Sequence, residues 1–324
     1  MLNRSNKKIL TYAIKAGILL LTAFYIYQKL SNRKDLVKFQ QIISGMDRTL
    51  VISTMSVVVG LMLINWVLES GKWRYLTQRL QPMTLWESIE AVFCGLSWAI
   101  LTPNRIGEYG GRVMFLSPRK RVHGVFAMAV GSFGQNVMTN VLGAAAFMWF
   151  VWTFLKLDPI FYFGLWILVF MFMLLMLLFY FNIRWMVSLL NSIKWLRKYH
   201  RFFDIMARYR FPELVRIMGY CIARYAVFSF QYYLVIHLLI PSIPVHDIFM
   251  MVFILFFIQS ALPSLDLLDV GVRNITAGTL FAYVTDQKIA VMAAVTSIWF
   301  INLIVPAILG SIFVFKLKFF DNDV

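Results

Sequence analysis

The chain has 324 residues, 60% of them hydrophobic and 14% charged, with a mean hydropathy of +0.74, which excludes an ordinary soluble globular domain and points to an integral membrane protein. Its net charge of +16 would suggest a nucleic-acid partner in a soluble protein. Here the basic residues flank apolar runs, so topology and anionic lipid headgroups account for the charge, and nucleic acid is set aside as a partner.

In chain order, apolar runs long enough to cross about 30 Å of hydrocarbon fall at roughly 9–28, 49–69, 124–155, 159–182, 213–240 and 289–315. They predict an all-α protein with about six transmembrane helices. The first run carries Lys15 and is followed by Gln28, Lys29 and Leu30 in place of small residues, so it reads as an uncleaved span. Residues 29–48 hold Lys29, Arg33, Lys34 and Lys38 and read as an external loop or an interfacial helix. Two further apolar segments, 84–101 and 247–262, are shorter, and each runs into a Pro-containing polar stretch, "LTPNRIGEYGGR" and "LPSLDLLDVGVRN". Segments of this length re-enter more often than they span, which predicts re-entrant hairpins over 84–121 and 247–286. Within 183–212, Met186, Leu189, Leu190, Ile193 and Leu196 share one helical face and Arg184, Ser188, Asn191, Lys194 and Lys198 the other, the pattern of a basic amphipathic helix in the cytoplasmic interface. Nothing between the spans is long enough to bury a core of its own, so residues 1–324 form a single polytopic membrane domain.

Most of the 31 lysines and arginines lie in 1–8, 72–80, 102–121, 184–216 and 316–324. By the positive-inside rule those pieces are cytoplasmic, with both termini inside a cell (inner) membrane. The first hairpin then enters from the cytoplasm and the second from the opposite face. Pro103 and Gly111 stand as far apart as Pro263 and Gly271, with Arg112 and Arg273 close behind. Together these features match the inverted repeats of transporters, whose broken helices meet near the midplane.

Irregular backbone survives at membrane depth only inside protein or beside a wet cavity. The first tip therefore implies a cavity: Pro103 ends the incoming helix, Gly107, Gly110 and Gly111 allow tight backbone paths, and Glu108 suits the positive end of the next helix. Glu108 and Arg112 are in the favourable order for an ion pair. Arg105 and Arg112 can present positive charge to a headgroup phosphate with Glu108 holding one of them, although a solvated cytoplasmic turn would carry the same residues. The second tip offers Asp266, Asp269 and Arg273, and an extracellular polar turn would look similar. Other polar residues within apolar runs are Glu69, Glu87, Glu90, Asn136, Asn140, Arg224, Gln231, His237 and Gln259. Intramembrane charges are functional candidates by default, but Glu87 and Glu90 begin a helix just after Pro82, where dipole pairing is the simpler account.

The histidines at 123, 200, 237 and 246 lack metal-ligand spacing, and Cys94 and Cys221 lie in apolar stretches. No HExxH, GxxxxGK or GxSxG is present. The expectation is a protein with no metal, no cofactor and no catalytic residue of a recognised hydrolase or nucleotide-driven pump.

Three stretches, "INWVLESGKWRYL" (64–76), "LTPNRIGEYGGRV" (101–113) and "ALPSLDLLDVGVRN" (261–274), resemble successive motifs of the lysylphosphatidylglycerol synthase/flippase transmembrane family. Pro103, Gly107, Glu108 and Arg112 match its first loop, and the similarity runs from about residue 10 to 315. The late loop departs from the pattern: Leu268 and Asp269 stand where glycines are expected, and Asn274 replaces a glutamate. The resemblance implies a membrane part that moves a lipid between leaflets, with two re-entrant loops forming its central cavity. The soluble aminoacyl transferase domain of bifunctional members does not follow within these residues, so synthase activity is expected to be absent.

The expected function is binding and transbilayer movement of an anionic lipid or lipid-linked precursor, with Arg105, Arg112 and Arg273 on phosphate, Glu108 orienting them and Asp266 and Asp269 nearby. A homo-oligomer is compatible with this. Two alternatives stay open: a membrane-embedded transferase acting on a polyprenyl-linked substrate through Asp266 and Asp269, and a non-catalytic assembly factor.

Overall fold

The computed structural model describes residues 45–99, 102, 105–194, 200–261 and 266–314, and the expected span at 9–28 lies outside the described residues. The described part is helical, with no strand among the described residues. Five helical stretches are long and apolar enough to cross a membrane: Arg48–Thr77, Pro118–Leu155, Pro159–Phe181, Phe211–Leu239 and Lys288–Val314.

Helix α1 (Arg48–Thr77) starts where the Asp47 carboxylate accepts the Thr49 N–H at 2.8 Å, an ordinary N-cap. It buries Val58, Met62, Asn65, Trp66, Glu69, Trp73 and Leu76, one face at helical spacing, while Leu50, Val57, Leu63, Ile64 and Val67 stay exposed. Apolar residues on the outer face of a helix whose inner face holds a carboxylate reverse the soluble pattern and suit a hydrocarbon surround. Helix α2 (Leu85–Ala99) opens on a capping box in which Thr84 N–H donates to Glu87 Oε2 at 2.7 Å and Glu87 N–H to Thr84 Oγ1 at 3.2 Å. Helix α3 (Ile106–Val113) folds back along α2.

Helix α4 (Arg121–Phe150) continues through a π-turn, Val151–Leu155, and α5 (Pro159–Phe181) follows with only Val169 and Tyr180 buried. Helix α6 (Ile183–Ser192) turns Ile183 and Val187, flanked by Met186 and Leu190, toward a cluster containing Tyr180, Phe203 and Leu214. The expected apolar face is thus shifted: Trp185 and Leu189 are exposed, Ile193 is extended beyond the helix end, and Leu196 lies outside the described residues. Ile183 lies at the same spacing one turn before Met186 and Val187, and that stripe supplies the buried contacts. After α7 (His200–Ala207) comes α8 (Phe211–Leu239), the main partner of α1, and then α9 (Val245–Ala261), packed on α4. Helix α10 (Asp266–Phe281) lies on α11 (Lys288–Trp299), where Asn274 Nδ2 donates to Thr296 Oγ1 at 2.8 Å. A π-turn, Phe300–Ile304, joins α11 to α12 (Val305–Val314).

That π-turn has a local cause. Pro306 has no N–H to give the carbonyl four residues back, and its ring collides with that carbonyl, so the preceding turn widens and Val305 N–H reaches Phe300 O. Helix α12 approaches α2 closely: a Cβ at Gly310 would sit 1.9 Å from Phe93 O, and Ser97 Oγ donates to Ala307 O at 2.8 Å.

Ring contacts fix which helix ends are neighbours. Phe313 meets Trp86 at one end of the bundle, and Tyr283 meets Phe150 and Phe154 at the other. Helices α2 and α3 therefore begin and end at the first end, and α9 and α10 at the second. The first end is basic on balance, with Arg74, Arg79, Arg119, Lys120, Arg121, Arg208, Arg210 and Arg216 against Glu87, Asp204 and Glu213; the second mixes Arg48, Lys156 and Lys288 with Asp47, Asp158, Asp247 and Asp286. Arg79 pairs with Glu213 at 2.7 Å, the Arg216 guanidinium covers the Tyr75 ring at 4.9 Å, and Tyr209 Oη donates to Leu76 O at 2.7 Å, bracing α1 against α8 at the basic end. Burial holds the Tyr209 phenol above its usual pKa, so it stays a donor.

Candidate functional site: a buried ion cluster beside a cavity

Glu69 lies on the buried face of α1, about 12 Å from its basic end at roughly 1.5 Å per residue. Its Oε1 accepts Arg112 Nη1 at 2.5 Å, and its Oε2 faces Lys72 Nζ at 2.7 Å and Arg224 Nη1. Arg224, about 20 Å along α8 from Phe211, also donates from Nε to Asn65 Oδ1 at 3.0 Å and lies 5.3 Å from the centre of the Trp66 ring. Arg112 Nη2 reaches Glu108 Oε1, and Glu108 Oε2 pairs with Arg105 Nη2 at 3.1 Å. Two carboxylates thus face four cations. Removing charges from water costs several kcal/mol each, and only dense pairing of this kind offsets it. The surplus positive charge is left beside Arg105 and Arg224.

The backbone at the first helix break is set by Thr102 and Arg105. Thr102 Oγ1 accepts Gly107 N–H at 2.6 Å, and Arg105 N–H donates to Thr102 O at 3.3 Å. Arg105 itself is left-handed, with φ 56° and ψ 27°, a conformation costing a non-glycine residue on the order of 1 kcal/mol. The glycines here serve close approach, since no described glycine has positive φ. A Cβ on Gly107 would fall 2.3 Å from Trp98 O, and one on Gly111 2.6 Å from Gly95 Cα. That proximity of α3 to α2 lets Arg112 reach inward to Glu69.

Beside the cluster lies a cavity of about 290 Å³. Asn65 and Trp66 of α1, Arg105, Gln135 of α4, Arg224 of α8, Gln259 and Ser260 of α9, Arg273 of α10 and Asn302 of the π-turn all line it. Phe228, Tyr232 and Phe256 supply apolar walls. Two distant parts of the chain thus each bring an arginine to one space: Arg105 immediately precedes α3, and Arg273 lies about two turns into α10. Several lining side chains carry buried polar atoms without a hydrogen-bond partner among the described residues, namely Gln135 Oε1, Gln259 Nε2, Asn302 Oδ1, Tyr225 Oη and Arg105 Nε. Each such atom costs about 1–3 kcal/mol, and each lies behind the cavity wall with almost no accessible surface.

The sequence-derived residues divide. Arg105 and Arg273 line the cavity, and Glu108 stands behind Arg105 as an orienting carboxylate. Arg112 was expected to contact phosphate; it is 1% exposed, is not among the lining residues and is taken up by Glu69 and Glu108, because the close Gly95–Gly111 approach turns it away from the cavity. The side chains of Asp266 and Asp269, and all of Pro103 and Pro263, lie outside the described residues. A Cβ on Gly271 would meet nothing within 4 Å, so packing does not require glycine there. Asn274 ties α10 to α11. Gln231 donates to Val58 O at 2.9 Å, and Asn140 Nδ2 donates to Asn136 O on its own helix. Glu69 and Arg224 carry more of the site than their place among scattered intramembrane polar residues suggests. The signal was the run Asn65, Trp66, Glu69, Lys72 at helical spacing, together with Arg224 as the single arginine deep in its span. Among the described residues, no group of three His, Cys, Asp or Glu could hold a metal ion.

Comparison with protein-family models, curated proteins and solved structures finds no match.

Proposed function

We propose that this cavity receives the phosphate-bearing headgroup of an anionic lipid or lipid-linked precursor and passes it between leaflets. The observation that carries this reading is the delivery of Arg105 and Arg273, from two distant parts of the chain, to the space that Arg224 borders about midway along α8. Guanidinium groups offer donors in the geometry a phosphate accepts, and aromatic walls suit acyl or prenyl carbons beside it. Arg105, Arg224 and Arg273 hold the phosphate in this reading, while Glu69 and Glu108 position the arginines.

The same geometry supports an arrangement in the membrane. Helix pairs α2–α3 and α9–α10 are re-entrant hairpins inserted from opposite faces; α2 and α9 are each under about 30 Å long at 1.5 Å per residue. In this reading the basic end faces the cytoplasm of a cell with the protein in its inner membrane, and the apolar run 9–28, outside the described residues, supplies the sixth span that its composition suggests. The motif resemblance to the lysylphosphatidylglycerol synthase/flippase transmembrane family supports the same assignment.

The test is movement of a fluorescent short-chain anionic phospholipid across vesicles containing the purified full chain, followed by quenching of the outer leaflet. The wild type should equilibrate the probe between leaflets, and Arg224→Ala and Arg273→Ala should each slow it at least tenfold. Unchanged rates in both variants would refute the assignment.

A further inference from the structure

Resting on that reading, we infer that the preferred headgroup carries two negative charges on its phosphate, as a phosphomonoester does, and that a phosphodiester, with one, is the weaker ligand. The buried ions form a ladder of alternating sign. Arg105, Glu108, Arg112, Glu69 and Arg224 follow one another through direct contacts, and Lys72 adds a further cation at Glu69. Both ends of the ladder are arginines, and both line the same cavity. Four cations against two carboxylates leave two positive charges in this network. Burial decides where a ligand can meet them: the side chains of Lys72 and Arg112 are 4% and 1% exposed, those of Arg224 and Arg105 16% and 36%. No Asp, Glu or His is among the lining residues.

The donors left for a ligand keep accessible surface. Arg224 directs Nε to Asn65 and Nη1 to Glu69, and Arg105 directs Nη2 to Glu108. Arg224 Nη2 and Arg105 Nη1 then have no hydrogen-bond partner among the described residues, and neither is an enclosed atom. A phosphodiester offsets one of the two surplus charges and leaves the other in a partly desolvated space, where repulsion among the cations persists. A phosphomonoester holds close to two charges at neutral pH and offers three strong acceptor oxygens, enough to accept from both ends of the ladder at once.

The experiment is native mass spectrometry of the full chain in detergent, offered equimolar phosphatidic acid, a phosphomonoester, and phosphatidylglycerol, a phosphodiester, with matched acyl chains. At about pH 8, above the second ionisation of a phosphomonoester near pH ~6, phosphatidic acid occupancy should exceed that of phosphatidylglycerol about tenfold, the value of one added charge-assisted hydrogen bond. At about pH 5 the second charge is lost, and phosphatidic acid should fall to the level of phosphatidylglycerol while phosphatidylglycerol stays unchanged. Titration of the protein, at Glu69 or Glu108, would move both lipids together and would overturn the inference. Arg105→Gln should bring the preference toward unity with phosphatidylglycerol still bound, Arg105→Lys should keep most of it, and a melting curve for each variant shows whether it folds. Equal occupancy by the two lipids at about pH 8, with both lost in Arg224→Ala, would overturn the double-charge inference and leave the anion reading standing. Occupancy indifferent to Arg105→Ala, Arg224→Ala and Arg273→Ala would overturn both. Glycerol 3-phosphate in solution separates the sources: displacement of phosphatidic acid at comparable concentration supports the dianion chemistry with a free phosphomonoester as its source, and failure to displace supports a lipid.

Discussion

Replacing Glu69 by glutamine keeps the shape of the side chain and removes the charge that three cations share. At a contact of 2.7 Å and an effective dielectric constant near 20, each ion pair is worth about 6 kcal/mol of gross attraction, most of it offset by the desolvation of the ions. The net cost is the cost of leaving buried cations uncompensated, about 3–5 kcal/mol. Lys72 and Arg224 then have no carboxylate partner among the described residues, and Arg112 keeps only Glu108. Thermal unfolding in detergent should shift down by roughly 10 °C, scaling from about 2–4 °C per kcal/mol in chains of comparable size. Lys72→Met alone should cost under about 1 kcal/mol, because Glu69 retains two guanidinium partners and the cluster has cations to spare. The double variant Glu69→Gln with Lys72→Met should recover part of the Glu69→Gln loss, since one buried positive charge is gone. A Glu69→Gln protein that melts within a degree or two of wild type would refute the hub role of this carboxylate.

Gly310→Ala should reduce folded yield and lower the melting point by the equivalent of roughly 2 kcal/mol or more, because its Cβ would fall 1.9 Å from Phe93 O and force α12 away from α2. Gly271→Ala is the matched control: with nothing within 4 Å it should be neutral or stabilising by up to about 1 kcal/mol, read in the same melting assay. Arg105→Gly should relieve left-handed backbone strain and raise stability by about 1 kcal/mol or less while anionic-lipid occupancy falls in native mass spectrometry. Pro306→Ala should let an ordinary α-turn replace the π-turn, seen as a higher melting point.

The spans were legible because hydropathy is summed along the chain and needs no knowledge of partners. The runs read at 159–182, 213–240 and 289–315 correspond to helices at Pro159–Phe181, Phe211–Leu239 and Lys288–Val314. The run read as ending at 69 fails at its boundary for an informative reason: α1 continues to Thr77 through Glu69 and Lys72, which look like an interface in sequence and are buried in the fold. Charge terminates a span only when water must supply its partner, and here Arg112 and Arg224 supply it from 43 and 155 residues away. The same distance hides the fate of Arg112. Its pairing with Glu108 one turn earlier is a local feature and readable, but the second carboxylate that draws it out of the cavity belongs to another helix. Glycine was legible as a residue type and not as a cause: the sequence suggests conformational freedom at the first tip, whereas Gly107 and Gly111 are required for close approach and the left-handed position falls to Arg105. Arg105 in that conformation turns a helix break into a cavity wall, with its backbone anchored on Thr102 and its side chain on Glu108. If the cavity takes an anion as proposed, a lining cation tied by backbone and side chain meets part of its ordering cost in the fold before any ligand arrives.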